Sequence, residues 1–106
     1  MKHKHNVKVV NKRDNEVVIE INGVFDFGSY KCFREAYKAN IKDNMEYTID
    51  FSKVEFVDSA ALGILLIFRE ETISQYENST IKLINMNSEI HNIFKIANFE
   101  RLFEII

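Results

Sequence analysis

Asp58 and Ser59 stand where an apolar stretch, Tyr47–Phe51, hands over through Ser52-Lys53-Val54-Glu55-Phe56 to a long apolar segment with helical character. An acid followed by a hydroxyl at that junction suggests one kind of chemistry. The first turn of a helix has backbone N–H groups without intrahelical partners and carries the positive end of the dipole. The fold would tolerate a phosphate added to Ser59 there. That phosphate would put about −1.5 to −2 charges on the outside of the domain. Such a residue suits a switch better than a reaction. The simpler alternative is an ordinary helix-start serine. Asp58 argues against it, because Asp58 can itself be the N-cap. Ser59 is then the first helical residue, with its hydroxyl free to point outward.

Asp26 is the second residue of interest. It comes after Asn22-Gly23-Val24-Phe25, at the exit of a strand-like segment. If that strand neighbours Tyr47–Phe51, Asp26 and Asp58 share one sheet edge, where open α/β sheets place their sites. A plain turn acid before a helix is the alternative. Ala60, Ala61 and Gly63 make a small-residue surface at the helix start. Gly63 costs about 1 kcal/mol relative to Ala in a helix interior. Close packing on the sheet and close approach of a partner backbone are both open explanations.

Other chemistries find no support. Gly23 and Gly28 lie in neither a G-x-x-x-x-G-K-[ST] nor a G-x-G-x-x-G pattern. His3, His5, His91 and Cys32 lack metal-ligand spacing. No serine–histidine–carboxylate set is suggested, so neither an enzyme, a cofactor nor a metal is expected.

The patterning also gives the elements that must position these residues. Val7–Val10 and Val17–Ile21 read as strands forming a hairpin over the polar turn 11–15, and Asn22-Gly23 ends the second. Ser29 is the expected N-cap of a helix reaching Ile41, with Tyr30, Phe33, Tyr37 and Ile41 on one face. Tyr47–Phe51 is a third strand. Ser59–Tyr76 is a second helix, apolar all round in its first half and therefore buried. Thr80–Ile84 is a fourth strand, and Asn87 or Ser88 caps a third helix that Asn98 ends. Leu102–Ile106 is a last short strand. The expected order is β-β-α-β-α-β-α-β in one α/β domain over residues 1–106, with a mixed sheet.

Composition fits that size. The chain has 106 residues, 46% hydrophobic and 28% charged, with a net charge of −2. That balance gives no electrostatic case for nucleic acid. Met1-Lys2-His3-Lys4-His5 reads as a solvated end. One cysteine, Cys32, allows no intrachain disulfide and fits a reducing compartment. No signal peptide is evident, and the apolar run Ala60–Phe68 is too short to span a bilayer. The expected location is the cytoplasm, without membrane insertion.

At these residues the chain resembles the STAS family, the domain of bacterial anti-sigma factor antagonists. Asp58-Ser59-Ala60-Ala61-Leu62-Gly63 is similar to that family's Asp-Ser-[Ser/Thr/Ala]-[Gly/Ala]-Leu-Gly at the start of the second helix. Gly23-Val24-Phe25-Asp26 is similar to its Gly-x-Phe/Ile-Asp element, and Ile96–Ile105 to its closing helix and strand. The resemblance covers nearly the whole chain. It implies an anti-sigma factor antagonist that binds an anti-sigma factor or serine kinase while Ser59 is bare. The kinase phosphorylates Ser59, the complex separates, and a PP2C-type phosphatase restores binding. It makes Asp26 and Asp58 the surroundings of the phosphosite. Phe25, Phe27, Ala60, Ala61 and Gly63 become the expected partner-binding residues.

Three departures from the family pattern bear on this. Ala60 stands for a frequent Ser or Thr, which leaves Ser59 as the motif's one hydroxyl. Ala61 stands for a frequent Gly. The sequence stops after the last strand, where many members have a further helix, which raises self-association at an exposed face as an expectation. The main rival is a STAS accessory subunit of a transporter, lipid-transport systems included, with no phospho-switch. A receiver domain phosphorylated on Asp58 needs an acidic pair and a late lysine that are not evident. A small-molecule sensor at the Asp26–Asp58 edge is the last rival.

Overall fold

Val17, Ile19, Ile21 and Phe25 are all completely buried, and they set the inner face of the sheet. They lie on β2 (Glu16–Phe25), which pairs antiparallel with β1 (Val7–Arg13) and parallel with β3 (Glu46–Val57). The two remaining strands, β4 (Thr80–Ile84) and β5 (Glu104–Ile105), extend the sheet in parallel. The strand order is β1-β2-β3-β4-β5, so the mixed sheet and the element order agree with expectation. The computed structural model describes residues 4–106. Met1, Lys2 and His3 of the basic end lie outside the described residues.

The helices α1 (Tyr30–Lys38), α2 (Ser59–Thr72) and α3 (Ser88–Ile96) each join neighbouring parallel strands. Right-handed crossovers between neighbours would put all three on one face. Ring contacts show that they do. Phe33 of α1 meets Phe25 of β2 at 5.5 Å, and Phe94 of α3 meets Phe51 of β3 at 5.7 Å. Phe68 of α2 meets Tyr47 of β3 at 5.4 Å. The opposite face is polar: Glu20 pairs with Lys8 and Lys53, Lys82 with Glu46, and Asn85 donates to Asp50.

Several expected boundaries move. β1 reaches Arg13, with one extra residue, Val10, bulging from the ladder, so the turn is only Asp14-Asn15. β2 does not end at Asn22-Gly23 but passes through it, with Gly23 at φ +74°. β3 continues six residues beyond Phe51, because the segment that looked like a connection is strand. Two register shifts against β2 put one extra residue each into β3. Burial therefore falls on Phe51, Val54 and Val57 at intervals of three. A bulge breaks the two-residue alternation while the ladder goes on.

α1 stops at Lys38, short of Ile41, where the Asn40 side chain donates to the Ala36 carbonyl. α2 stops at Thr72, short of Tyr76; the Thr72 hydroxyl donates to the Phe68 carbonyl at 2.7 Å. The expected end of α3 at Asn98 holds, with that residue left-handed at φ 61°. A 3-10 turn, Phe99–Arg101, follows, and the expected last strand Leu102–Ile106 shortens to Glu104–Ile105. No helix among the described residues is long and apolar enough to cross a membrane.

Candidate functional site

β2 and β3 end side by side, since Phe25 is the register partner of Val57. The next residues are Asp26 and Asp58, and each caps the helical turn that begins just after it. Asp58 is extended (φ −113°, ψ −176°), and its Oδ1 accepts from the Ala61 N–H at 3.0 Å. Such a cap stabilises a helix start by about 1 kcal/mol. Asp26 does the same for the 3-10 turn Phe27–Ser29 that leads into α1. Its Oδ1 accepts from the Gly28 N–H at 2.9 Å. Ser29 was expected to be the N-cap of α1. It stands at that position, but it is helical at φ −85°, its side chain makes no capping bond to α1, and its hydroxyl instead accepts from the Asp26 N–H and donates to the Val24 carbonyl. The side-chain cap is made three residues earlier, by Asp26.

Ser59 is the first residue of α2 and is exposed. With Asp58 on the cap, the Ser59 hydroxyl has no hydrogen-bond partner among the described residues. The free N–H groups of the first turn lie beneath it, where an added anion is favoured.

The structure divides the expected partner-binding residues. Phe27 is 56% exposed and sits in the turn that packs against α2. Ala60 and Gly63 are half-buried. A Cβ on Gly63 would meet nothing within 4 Å, so close packing on the sheet does not account for this glycine. Phe25 and Ala61 must be corrected, because both are completely buried. Phe25 lies on the helix-facing side of β2 against Phe33 and Phe51. Ala61 begins the inward stripe Ala61, Ile64, Leu65, Phe68, Thr72 of α2. Neither side chain can touch a partner.

Sequence reasoning also missed part of the surface. Phe56 is 56% exposed beside its register partner Val24, itself 36% exposed. Both lie within a few residues of the two acids. The adjacent pair Phe56-Val57 held the signal, because an extended chain cannot turn two consecutive side chains to one face. Leu66 and Ile67, each 43% exposed, continue the apolar surface along the outside of α2. Lys4 was missed too, and its ammonium pairs with Asp26 Oδ2 at 2.8 Å.

Comparison with known proteins agrees with this fold. The family described as Mlab, STAS domain matches residues 9–105. A STAS-domain containing protein of Pseudomonas aeruginosa (strain UCBPP-PA14) is 40% identical over 90 residues, covering 85% of this chain and 87% of that one. Among solved structures, an anti-sigma factor antagonist from Mycobacterium paratuberculosis superposes with a TM-score of 0.77 at 18% identity, over 99% of this chain and 89% of its own. The Bacillus cell fate determinant SpoIIAA in its phosphorylated form gives 0.68 at 15% identity, over 94% and 90%. A sulfate transporter family protein from Wolinella succinogenes gives 0.69 at 18% identity, over 91% and 79%. At those identities the structural likeness speaks for the fold. The family match over nearly the whole length and the 40% relative carry the assignment further, and on them the chain belongs to the STAS domain family.

Proposed function

We propose that this chain is a partner-switching regulator of the anti-sigma factor antagonist type, controlled by phosphorylation of Ser59. Unphosphorylated, it binds an anti-sigma factor or a related serine kinase over the surface around Ser59. Phosphorylated, it lets go, and a PP2C-type phosphatase resets it. One observation carries this proposal: an exposed serine with an unengaged hydroxyl at the first position of a helix that another residue already caps. Exposed Phe27, Phe56, Leu66 and Ile67 supply apolar contact area near it. A phosphate there would desolvate poorly in an apolar interface and would add charge beside Asp26 and Asp58, which breaks a contact without unfolding the domain. Of the structures that share the fold, the one from Mycobacterium paratuberculosis supports the choice of role by its name, an anti-sigma factor antagonist, and the Bacillus one supports the switch by being a phosphorylated form.

The test is quantitative co-purification with wild type, Ser59→Ala and Ser59→Asp as baits, with mass spectrometry of the native protein before and after phosphatase treatment. Wild type and Ser59→Ala should hold a protein with a serine kinase domain, Ser59→Asp should not, and a phosphate should map to Ser59. Ser59→Asp should keep its melting temperature, since an anion at this end is worth about 0.3–1 kcal/mol in favour of the helix. Equal capture by all three baits defeats the proposal. Equal capture of membrane transport subunits would point to the transporter accessory role.

A further inference from the structure

The last register pair between β1 and β2 is Val7 with Ile21, yet β2 runs on to Phe25. Beyond that pair the β1 side of β2 has no strand. The chain just before Val7 takes its place. The Asn22 N–H donates to the Asn6 carbonyl at 2.8 Å. The Asn6 side-chain amide donates to the carbonyls of Asn22 and Val24 at 2.9 and 2.8 Å. The Lys4 N–H donates to the Gly28 carbonyl at 3.0 Å. The Lys4 ammonium reaches Asp26 Oδ2 at 2.8 Å, the carboxylate oxygen that the cap leaves free, and the Val24 carbonyl at 3.4 Å. Lys4 also lies flat on Gly28: a Cβ built there would stand 3.4 Å from Lys4 Cε and 3.5 Å from Cγ.

From this geometry we infer that Lys4 and Asn6 are positioning residues, forming an N-terminal strap that fixes the turn carrying Phe27 against the start of α2. Its functional meaning rests on the partner-binding role proposed for the Ser59 edge. Beyond Ile21 the β1 side of β2 is open, so the Val24 carbonyl and, in the turn that follows, the Gly28 carbonyl have no β1 strand to donate to them. Buried or half-buried carbonyls without donors are costly, and Lys4 and Asn6 supply donors to those of Val24 and Gly28. The Lys4 ammonium also offsets the Asp26 carboxylate at the end of β2. Phe27 itself is more than half exposed, although its turn is also held from within by the Asp26–Ser29 capping box and by buried Gly28 and Ser29. The strap adds the outer fastening that preorganises this part of the contact surface.

Amide hydrogen exchange on the free protein tests the strap without any partner. In Lys4→Met and in Asn6→Ala, exchange at Gly28 and Ser29 should speed up about tenfold, while the slow amides of central β3 keep their rates, the pattern of a local opening. Lys4→Arg should restore protection. Unchanged exchange at Gly28 and Ser29 in both strap variants overturns the inference, as does uniform acceleration across β3. The role in binding is then read with the protein retained by the Ser59→Ala bait. Its affinity should fall about tenfold with Lys4→Met and recover with Lys4→Arg, and an unchanged affinity overturns the positioning role. Failure of that bait to retain any protein would defeat the switch proposal, while the exchange result still decides the strap.

Discussion

Gly63 is the residue whose presence the isolated fold explains least. It sits in the interior of α2 at an ordinary helical φ, and its missing side chain makes room for no atom of its own chain. Glycine there costs about 1 kcal/mol relative to alanine. A cost with no internal return fits a contact made with another molecule, four residues along the helix from Ser59. Gly63→Ala should therefore raise the melting temperature of the free protein, by about 4–8 °C for a full kcal/mol in a domain of this size. It should at the same time weaken capture of the protein retained by the Ser59→Ala bait. A stabilised variant with undiminished capture would remove Gly63 from the contact surface. At this scale the sequence was readable where chemistry dictates order: an acid directly before a serine at a helix start settles which of them caps. It was less readable for Ala61. The first half of α2 is apolar all round, so composition hides which third of it faces the sheet. Only the spacing of Ala61 with Ile64, Leu65 and Phe68 gives it away.

Between elements, the strongest polar contact joins α1 to α2. Glu71 of α2 accepts two bonds from the Arg34 guanidinium at 3.2 Å, one from the Tyr37 hydroxyl, and pairs with Lys38 at 3.4 Å. The Arg34 bonds first, then the Tyr37 bond, hold the Glu71 carboxyl down at about 2, well below its ordinary 4.5. Burial and the Glu71 carboxylate push the Tyr37 hydroxyl up. For a depressed carboxyl the sign is fixed. Its stabilisation is complete above the unfolded value near 4.5 and drains away as pH falls toward 2. Glu71→Gln should therefore melt lower than wild type at pH 7, by roughly 5 °C, and the two curves should converge between pH 4.5 and 2. A constant gap across that window would mean that the charge of Glu71 does not hold the helices together. This clasp was not legible in the sequence, because Arg34 and Glu71 are far apart in the chain and each looks like a solvated helix charge. The far half of β3 was missed for a different reason. Its two bulges replace alternation with a three-residue rhythm, which no two-residue or 3.6-residue template matches.

For the whole molecule, the decisive fact is that all three helices share one face of a sheet whose other face is charged. The buried apolar side chains are then held in a single layer between helices and sheet, and that layer is continuous. Nine rings connect in contact from Tyr37 and Tyr47 through Phe68, Phe33, Phe25, Phe51, Phe94 and Phe99 to Phe103. This much of the fold was legible beforehand, since strands alternating with helices after a hairpin leave few other arrangements. Phe68 is where the layer depends most on one side chain. It is completely buried and touches Phe33 at 5.3 Å, Tyr37 at 4.7 Å and Tyr47 at 5.4 Å, so it binds α2 to α1 and to β3 at once. Phe68→Ala should cost about 3–5 kcal/mol in a urea titration, a large part of the roughly 5–15 kcal/mol typical of a whole domain. Phe68→Leu should cost clearly less, because it keeps most of the volume. The polar face sets the contrast. Lys53→Met there breaks one half-exposed pair to Glu20 and should change stability by no more than about 1 kcal/mol. If Phe68→Ala cost no more than Lys53→Met, the two faces would contribute alike. The orientation of α2, and with it the outward aim of Ser59, would then have to be fixed by something other than this one-sided core.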